Sequence, residues 1–211
     1  MQYVNTDEKP QQEPLNNIVM LSGVVTEVNA NSEQGGTHDF VLGVNRLSGM
    51  QDRIPVIMSD EVKNLKLRTG QIINVKGIFT SFNKIIGDRS KLILTVMATE
   101  IYDTVNVDQE NPNSIDLFGF ICKTPIYRTT PFNREIADLL LAVNRSFNKS
   151  DYIPAIAWGK NARFAKNLLV GEKVQINGRI QSREYQKRFD DGSVETRTAY
   201  EVSINAITRI D

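Results

Sequence analysis

Apolar and polar residues alternate in short runs along most of the chain. Ile18-Val19-Met20-Leu21, broken at Gly23 and resumed at Val24-Val25, reads as a first strand. Phe40–Val44, Ile54–Met58, Ile72–Phe79 and Leu92–Ala98 read as further strands. Between them lie turn residues: the patch Asn29–Thr37 with Gly35 and Gly36, and Gly87-Asp88. Asp60–Leu67 carries Val62 and Leu65 three residues apart and reads as one short helix. Short strands, turns between them and a helix after the third strand predict a small β-barrel. Residues 1–15 are polar, contain Pro10 and Pro14, and read as a flexible N-terminal arm.

The order then repeats. Gly23 is answered by Gly119, Val44-Asn45-Arg46 by Val143-Asn144-Arg145, Asp52-x-Ile54-Pro55 by Asp151-x-Ile153-Pro154, and Gly70-x6-Gly77 by Gly171-x6-Gly178. The offsets are 96, 99, 99 and 101 residues, a collinear set with nearly constant spacing. The expected organisation is a first barrel over 16–105, a linker over 106–112 and a second barrel over 113–211. In the second copy Ile115, Leu117 and Gly119 open the barrel. Tyr127–Phe132 reads as a polar loop with aromatics, and Ile136–Arg145 and Tyr152–Trp158 as strands. Ala162–Leu169 places Phe164 and Leu168 at i, i+4, the spacing of a short buried helix face. Val174–Tyr185 and Ala199–Ile207 flank Asp190-Asp191-Gly192-Ser193, a strong hairpin signal. That hairpin carries Lys187, Arg188 and Arg197 towards its tip.

Composition narrows the function. With 211 residues, 40% hydrophobic and 24% charged, the chain has the make-up of an ordinary soluble globular protein. No apolar run approaches a membrane span, the polar N-terminus lacks the apolar core of a signal peptide, and the single Cys122 suits a reducing cytoplasm. Net charge is zero, but the halves differ: residues 1–112 hold 10 Lys+Arg and 14 Asp+Glu, residues 113–211 hold 15 and 11. A phosphate-binding surface is therefore expected in the C-terminal half. Catalytic signals are thin. The one histidine, His38, lies in a Gly-rich polar loop, Cys122 sits in a strand pattern, and Asp190-Asp191 beside Gly192 is turn chemistry. No P-loop, CxxC pair or HExxH occurs, so neither an enzyme nor a metal or cofactor site is expected.

Tyr152 to Tyr185 is where candidate chemistry concentrates. Tyr152 and Trp158 are six residues apart, so both side chains leave one face of a strand. After Gly178 the side chains alternate: Arg179, Arg183, Tyr185 and Lys187 on one face, Ile180, Ser182 and Glu184 on the other. Burying Ile180 turns the cationic and aromatic face outward. Taken singly, each ring is better read as core and each cation as solvated surface. As a set on compatible faces they supply rings for bases and cations for phosphates, which single-stranded nucleic acid requires.

The second copy resembles the bacterial single-stranded DNA-binding proteins, which have the oligonucleotide/oligosaccharide-binding (OB) fold. The resemblance rests on an ordered set: Asn113-x5-Gly119, Leu141-Ala142-Val143-Asn144-Arg145, Asp151-Tyr152-Ile153-Pro154, Trp158-Gly159-Lys160-x-Ala162, Gly171, Gly178–Tyr185, and Thr198-x-Tyr200-Glu201-Val202. It implies an all-β chain of two tandem OB folds, each a five-stranded Greek-key barrel with one short helix. It further implies base stacking on Tyr152, Trp158 and Tyr185, with backbone contacts from Arg145, Lys160, Arg179, Arg183, Lys187, Arg188 and Arg197. In the first copy the positions matching the three rings are Arg53, Ser59 and Lys84, so that copy is degenerate, with Arg53 and Lys84 as weaker contacts.

The implied function is single-stranded DNA binding with little sequence preference, in replication, recombination or repair, at the nucleoid in the cytoplasm. Relatives with one OB fold per chain are typically tetramers, so a chain with two implies a homodimer. Replication or repair proteins are further partners, although the chain ends on Ile207-Thr208-Arg209-Ile210-Asp211 without the acidic recruiting tail common in the family. That departure points to an accessory, phage or plasmid paralogue. Two alternatives stand beside this reading: an oligomerising OB-fold accessory protein that binds a replication or primosome protein, and an RNA-binding OB protein.

Overall fold

The computed structural model describes residues 16–29, 38–86, 89–145, 149–189 and 192–210. The N-terminal arm, most of the Asn29–Thr37 turn, Gly87-Asp88 and Asp190-Asp191 lie outside the described residues. The first half forms β1 (Asn17–Val28), β2 (Phe40–Asn45), β3 (Gln51–Met58), β4 (Ile72–Ile86) and β5 (Arg89–Asp103). Neighbour pairing runs β1-β2-β3-β5-β4 and returns to β1, which closes a barrel; β3 and β5 are parallel, the other pairs antiparallel. The second half contains β6 (Asn113–Ile121), β7 (Ile126–Thr129), β8 (Glu135–Arg145), β9 (Lys149–Trp158), α1 (Lys160–Ala165), β10 (Lys173–Arg188) and β11 (Val194–Ile210). It closes in the same order, β6-β8-β9-β11-β10 and back to β6, with β9 and β11 parallel.

Three local expectations are corrected. Asp60–Leu67 is not a helix. Val62 and Lys63 both donate to the Ser59 carbonyl and Leu65 to that of Val62, a turn that goes no further. So short a segment needs a buried face to be helical, and here only Val62 is buried while Leu65 is exposed. In the second barrel α1 does form, but it turns Ala162, Ala165 and, just beyond its end, Leu168 inward, and leaves Phe164 exposed. The short strand β7, paired to β8, replaces the expected loop at its start.

The barrels are joined edge to edge. β1 and β6 pair antiparallel, Asn17 opposite Leu117 through Leu21 opposite Asn113, and make one eleven-stranded sheet. Val19, Leu21, Phe40, Leu42, Ile54 and Phe79 fill one barrel, and Ile115, Leu117, Leu141, Ile153, Ile176 and Ile180 the other, in one continuous apolar cluster. The linker is fixed to this junction: Asp108 N–H donates to Ser22 Oγ (2.8 Å) and Ser22 N–H to the Pro112 carbonyl (2.8 Å).

Each long hairpin departs from its barrel at a glycine. Register slips between Lys76 and Gly77 in β4 and between Asn177 and Gly178 in β10. A Cβ at Gly77 would stand 2.1 Å from the Met97 carbonyl oxygen, and one at Gly178 2.4 Å from that of Ser203, so only glycine permits the approach. Beyond these points β4 and β10 each have one edge without a strand neighbour, and unpaired backbone groups there would be costly. Side chains complete the edges. Asn17 Oδ1 accepts from Phe79 N–H and its Nδ2 donates to the Phe79 carbonyl; Asn113 does the same at Ile180. Two residues further on, the other barrel supplies an aspartate. Ser182 N–H donates to Asp52 Oδ1 (2.7 Å), and Ser81 N–H to Asp151 Oδ1 (2.5 Å).

This reciprocal exchange is the signature of a pseudo-twofold axis within one chain. Asp52 and Asp151 are buried, at 1% and 0%. Losing either carboxylate strands buried donors at about 1–3 kcal/mol each. Asp52→Ala and Asp151→Ala are therefore expected to lower the unfolding free energy by about 3 kcal/mol each, read as a shifted urea midpoint. Asp60→Ala, on the surface, should leave the midpoint unmoved. A wild-type midpoint in either seam variant would show that these carboxylates do not clamp the barrels together.

Candidate nucleic-acid interface

Strand register places the candidate rings on one continuous surface. Ile156 on β9 pairs with Ser203 on β11, which pairs with Arg179 on β10, so these three side chains share a face. Steps of two residues along each strand then put Tyr152 and Trp158, Glu201, Ala199 and Arg197, and Gln181, Arg183 and Tyr185 on that same face. Ile153, Ala155, Ala157, Ile180 and Val202 fill the interior on the other. The three rings are exposed despite their size: Tyr152 47%, Trp158 38% and Tyr185 38%. That exposure leaves part of each ring available to a flat ligand.

The cations divide into two groups. Arg183 is largely exposed, with Glu201 3.8 Å away. Lys160 is exposed immediately after Trp158-Gly159, and Arg188 is exposed near the hairpin tip. Arg197 is the cross-strand partner of Tyr185, and its bond to Glu195 raises its pKa. Lys187 and Arg197 bracket a ring that the sequence reading passed over: their cationic groups lie 5.2 and 5.5 Å from the Phe189 centroid. The outward row of β10 thus runs Arg183, Tyr185, Lys187 and on to Phe189, cation and ring in turn. Its only sequence signal was the continued period of two past Tyr185.

Arg145 and Arg179 belong to the second group. Both sit in the seam between barrels. Arg145 Nε stands 3.2 Å from Asp151 Oδ2, and its Nη1 donates to Thr80 Oγ1 (3.1 Å). Arg179 Nη1 donates to Asp52 Oδ2 (3.2 Å), beside Arg46, which grips the same carboxylate through Nε (2.8 Å) and Nη2 (2.6 Å). Burial lowers the Arg179 pKa, and the neighbouring Arg46 charge pushes the same way, with Asp52 opposing. These guanidiniums already have carboxylate partners within the protein.

The first barrel reaches the site through Arg53. Its N–H donates to Ser182 Oγ (3.1 Å), as Tyr152 N–H donates to Ser81 Oγ (2.8 Å), so the pseudo-twofold axis relates Arg53 to Tyr152. The Arg53 side chain reaches Glu27 at 3.2 Å. Beside it a cleft of about 580 Å³ opens between the barrels, lined by Arg46, Met50 and Arg53 from one and by Trp158, Arg183 and Tyr200 from the other. That volume suits a small planar ligand with an anionic attachment. Lys84 lies on the first barrel's hairpin, opposite Lys91.

Comparison with known proteins agrees with this geometry. The sequence model of the Single-strand binding protein family matches residues 112–210. A single-stranded DNA-binding protein of Clostridium tetani is 35% identical over 83 residues, covering 36% of this chain and 57% of its own length. Single-stranded DNA-binding protein 2 of Listeria innocua is 37% identical over 81 residues, 35% of this chain and 51% of its own. The chain thus spans about half the length of these curated relatives. Among solved structures, a deletion mutant of the single-stranded DNA binding protein from Thermus aquaticus superposes with a TM-score of 0.64 at 20% identity, covering 92% of this chain and 94% of that one. The shared fold therefore extends over both barrels.

Tyr200 lends itself to a direct check of the cleft. Burial raises its phenol pKa above 10.0, with Arg53 pulling it down and Glu27 up. A group whose folded pKa exceeds its unfolded value favours folding below the unfolded value and loses that contribution as pH climbs through the folded one. In a tyrosinate absorbance titration, the signal removed by Tyr200→Phe is expected to have its midpoint above that of an exposed tyrosine. A midpoint equal to that of an exposed tyrosine would place Tyr200 in open solvent.

Proposed function

We propose that this chain, whose residues 112–210 match the model of the Single-strand binding protein family, belongs to that family and binds single-stranded DNA with little sequence preference. The observation that carries this reading is the exposed row of rings and cations on the β9-β11-β10 face. Tyr152, Trp158 and Tyr185 stack bases, which all present a π-face, and Phe189 extends the set. Lys160, Arg183, Lys187, Arg188 and Arg197 follow the phosphates, with Arg53 contributing from the first barrel. Arg145 and Arg179 hold the barrels together and fix the rings through the seam. A protein-partner role would not need three large rings exposed on one face among cations, so the DNA reading is preferred. The setting is the cytoplasm, in replication, recombination or repair, with proteins of those processes as further partners.

Anisotropy of a labelled dT oligomer tests this directly. Tyr152→Ala and Trp158→Ala should each weaken binding by about 1–3 kcal/mol. Each phosphate contact should add about −0.7 to the slope of log affinity against log salt. Arg183→Ala is therefore expected to flatten the slope by about that amount, whereas Arg145→Ala should chiefly lower stability. Poly-rU in place of poly-dT resolves the RNA alternative. If the double ring variant binds dT as tightly as the unaltered protein, the surface has been misassigned.

The same reading extends to assembly. The β1–β6 pairing lies within the chain, so one chain supplies a paired unit of two barrels. A homodimer then presents four barrels to one strand. Sedimentation equilibrium at micromolar concentration should give twice the chain mass of 23.8 kDa. A monomer there would refute the dimer and leave the binding surface untouched.

A further inference from the structure

The strand β7 ends the sheet. In the order β10-β11-β9-β8-β7 its sole strand neighbour among the described residues is β8, whereas β2, at the far end, folds back onto β1. Asparagine and aspartate side chains complete the open edges of β4 and β10. No side chain among the described residues bonds the backbone of β7. The turn after β7 fixes which of its groups are left over. Thr130 N–H donates to the Arg134 carbonyl (2.9 Å) and Asn133 N–H to that of Thr130 (2.9 Å). Bonded and non-bonded pairs alternate along antiparallel strands. Thr130 is bonded to Arg134, so Arg128 is bonded to Ile136, while Thr129 and Tyr127 are not bonded to the Glu135 and Ala137 opposite them. Tyr127 and Thr129 therefore aim their N–H and C=O groups away from β8. The Glu135 carbonyl agrees, since it accepts from Gly159 N–H (2.9 Å) on the β9 side.

The surroundings select what can pair there. Ile126, Arg128 and Thr129 are exposed, so the edge is open. Arg128 lies 2.9 Å from Asp138, Arg163 bonds Glu135, and the Lys166 ammonium stands 5.2 Å from the Tyr127 ring centroid. Lys123 and Arg134 flank the strand, exposed and outside every ion pair among the described residues. Lys123, Arg128, Arg134, Arg163 and Lys166 thus outnumber Glu135 and Asp138. A second β7 brought alongside would set these cations against their own copies, a repulsive arrangement. An acidic strand meets the opposite sign and satisfies the same backbone groups.

We propose that β7 is a strand-addition site for an extended acidic segment of another protein. The main chain of that segment pairs with Tyr127 and Thr129, and its carboxylates lie among Lys123, Arg128, Arg134 and Lys166. The added strand lengthens the sheet past β7 and leaves the rings on β9 and β10 uncovered. A partner is thus held without displacing what occupies the rings, and the site does not depend on the DNA-binding reading.

The probe is a peptide of about six residues alternating glutamate and valine, added to the full chain and read by amide hydrogen exchange. The Tyr127 and Thr129 amides are expected to slow about tenfold or more at saturation, with the Arg128 amide, already paired to β8, little changed. Thr129→Pro removes one outward donor and keeps the β7–β8 ladder, so it should weaken peptide binding about 2- to 12-fold. Thr129→Val keeps the donor and should bind as the unaltered chain does, which separates the lost bond from a folding defect. Lys123→Ala with Arg134→Ala should also weaken the peptide, and Tyr152→Ala should not. Any of three results would overturn the site: no binding, binding that leaves both amides unprotected, or equal binding of a peptide alternating lysine and valine. Protection of both amides in the chain alone, rising with its concentration, would assign the edge to a second copy and overturn it too. A chain that passes these tests but fails to bind dT would lose the DNA reading and keep this site.

Discussion

Two strands that outrun their neighbours set the architecture of this protein. Past Gly77 and Gly178, β4 and β10 keep a partner on one side only. Such edges invite pairing with other chains. Here they are completed from within. Asn17 and Asn113 serve the first open position, and Asp151 and Asp52, reaching across from the opposite barrel, serve the second. The same serines that bond the aspartates also receive the N–H groups of Tyr152 and Arg53. The edge solution and the placement of the site are therefore one set of contacts, and a ring of the second barrel is positioned by a strand of the first.

Much of this was legible in the sequence because it depends on period and spacing. Alternation through Arg179–Lys187 gives the correct faces of β10, and the collinear glycines and Asp-x-Ile-Pro segments mark both copies. What alternation cannot supply is a partner. Arg179 reads as an outward cation, but the other barrel is what it faces, and Arg145 faces the other barrel likewise. Asp52 and Asp151 served only as markers of the repeat, since a carboxylate's burial 99 residues away from its counterpart leaves no local trace. The failed helix at Asp60–Leu67 has the opposite cause. Two apolar residues at helical spacing are present, but the barrel offers a buried place to only one.

The pseudo-twofold axis relates backbones more strictly than side chains. Asp52 is held by two arginines, Asp151 by one arginine and two hydroxyl-bearing neighbours. Arg53 stands where the axis would place Tyr152, and Lys84 where the repeat would place Tyr185. A symmetric frame thus carries an asymmetric surface, with most of the large exposed rings on the half that also carries the positive charge excess.

The β1–β6 ladder has a consequence that lies in the covalent chain rather than in the contacts. Residues 106–112 tether the two strands while lying against Ser22. A short tether holds its ends at an effective concentration in the millimolar range. Two separate barrels joined by the same ladder would part on dilution; these cannot, whatever the copy number in the cell. The tether also frees each half to vary alone. In a pair of identical chains every substitution is made twice, once on each side of the axis, whereas here a residue can be altered on one side while its counterpart stays as it was.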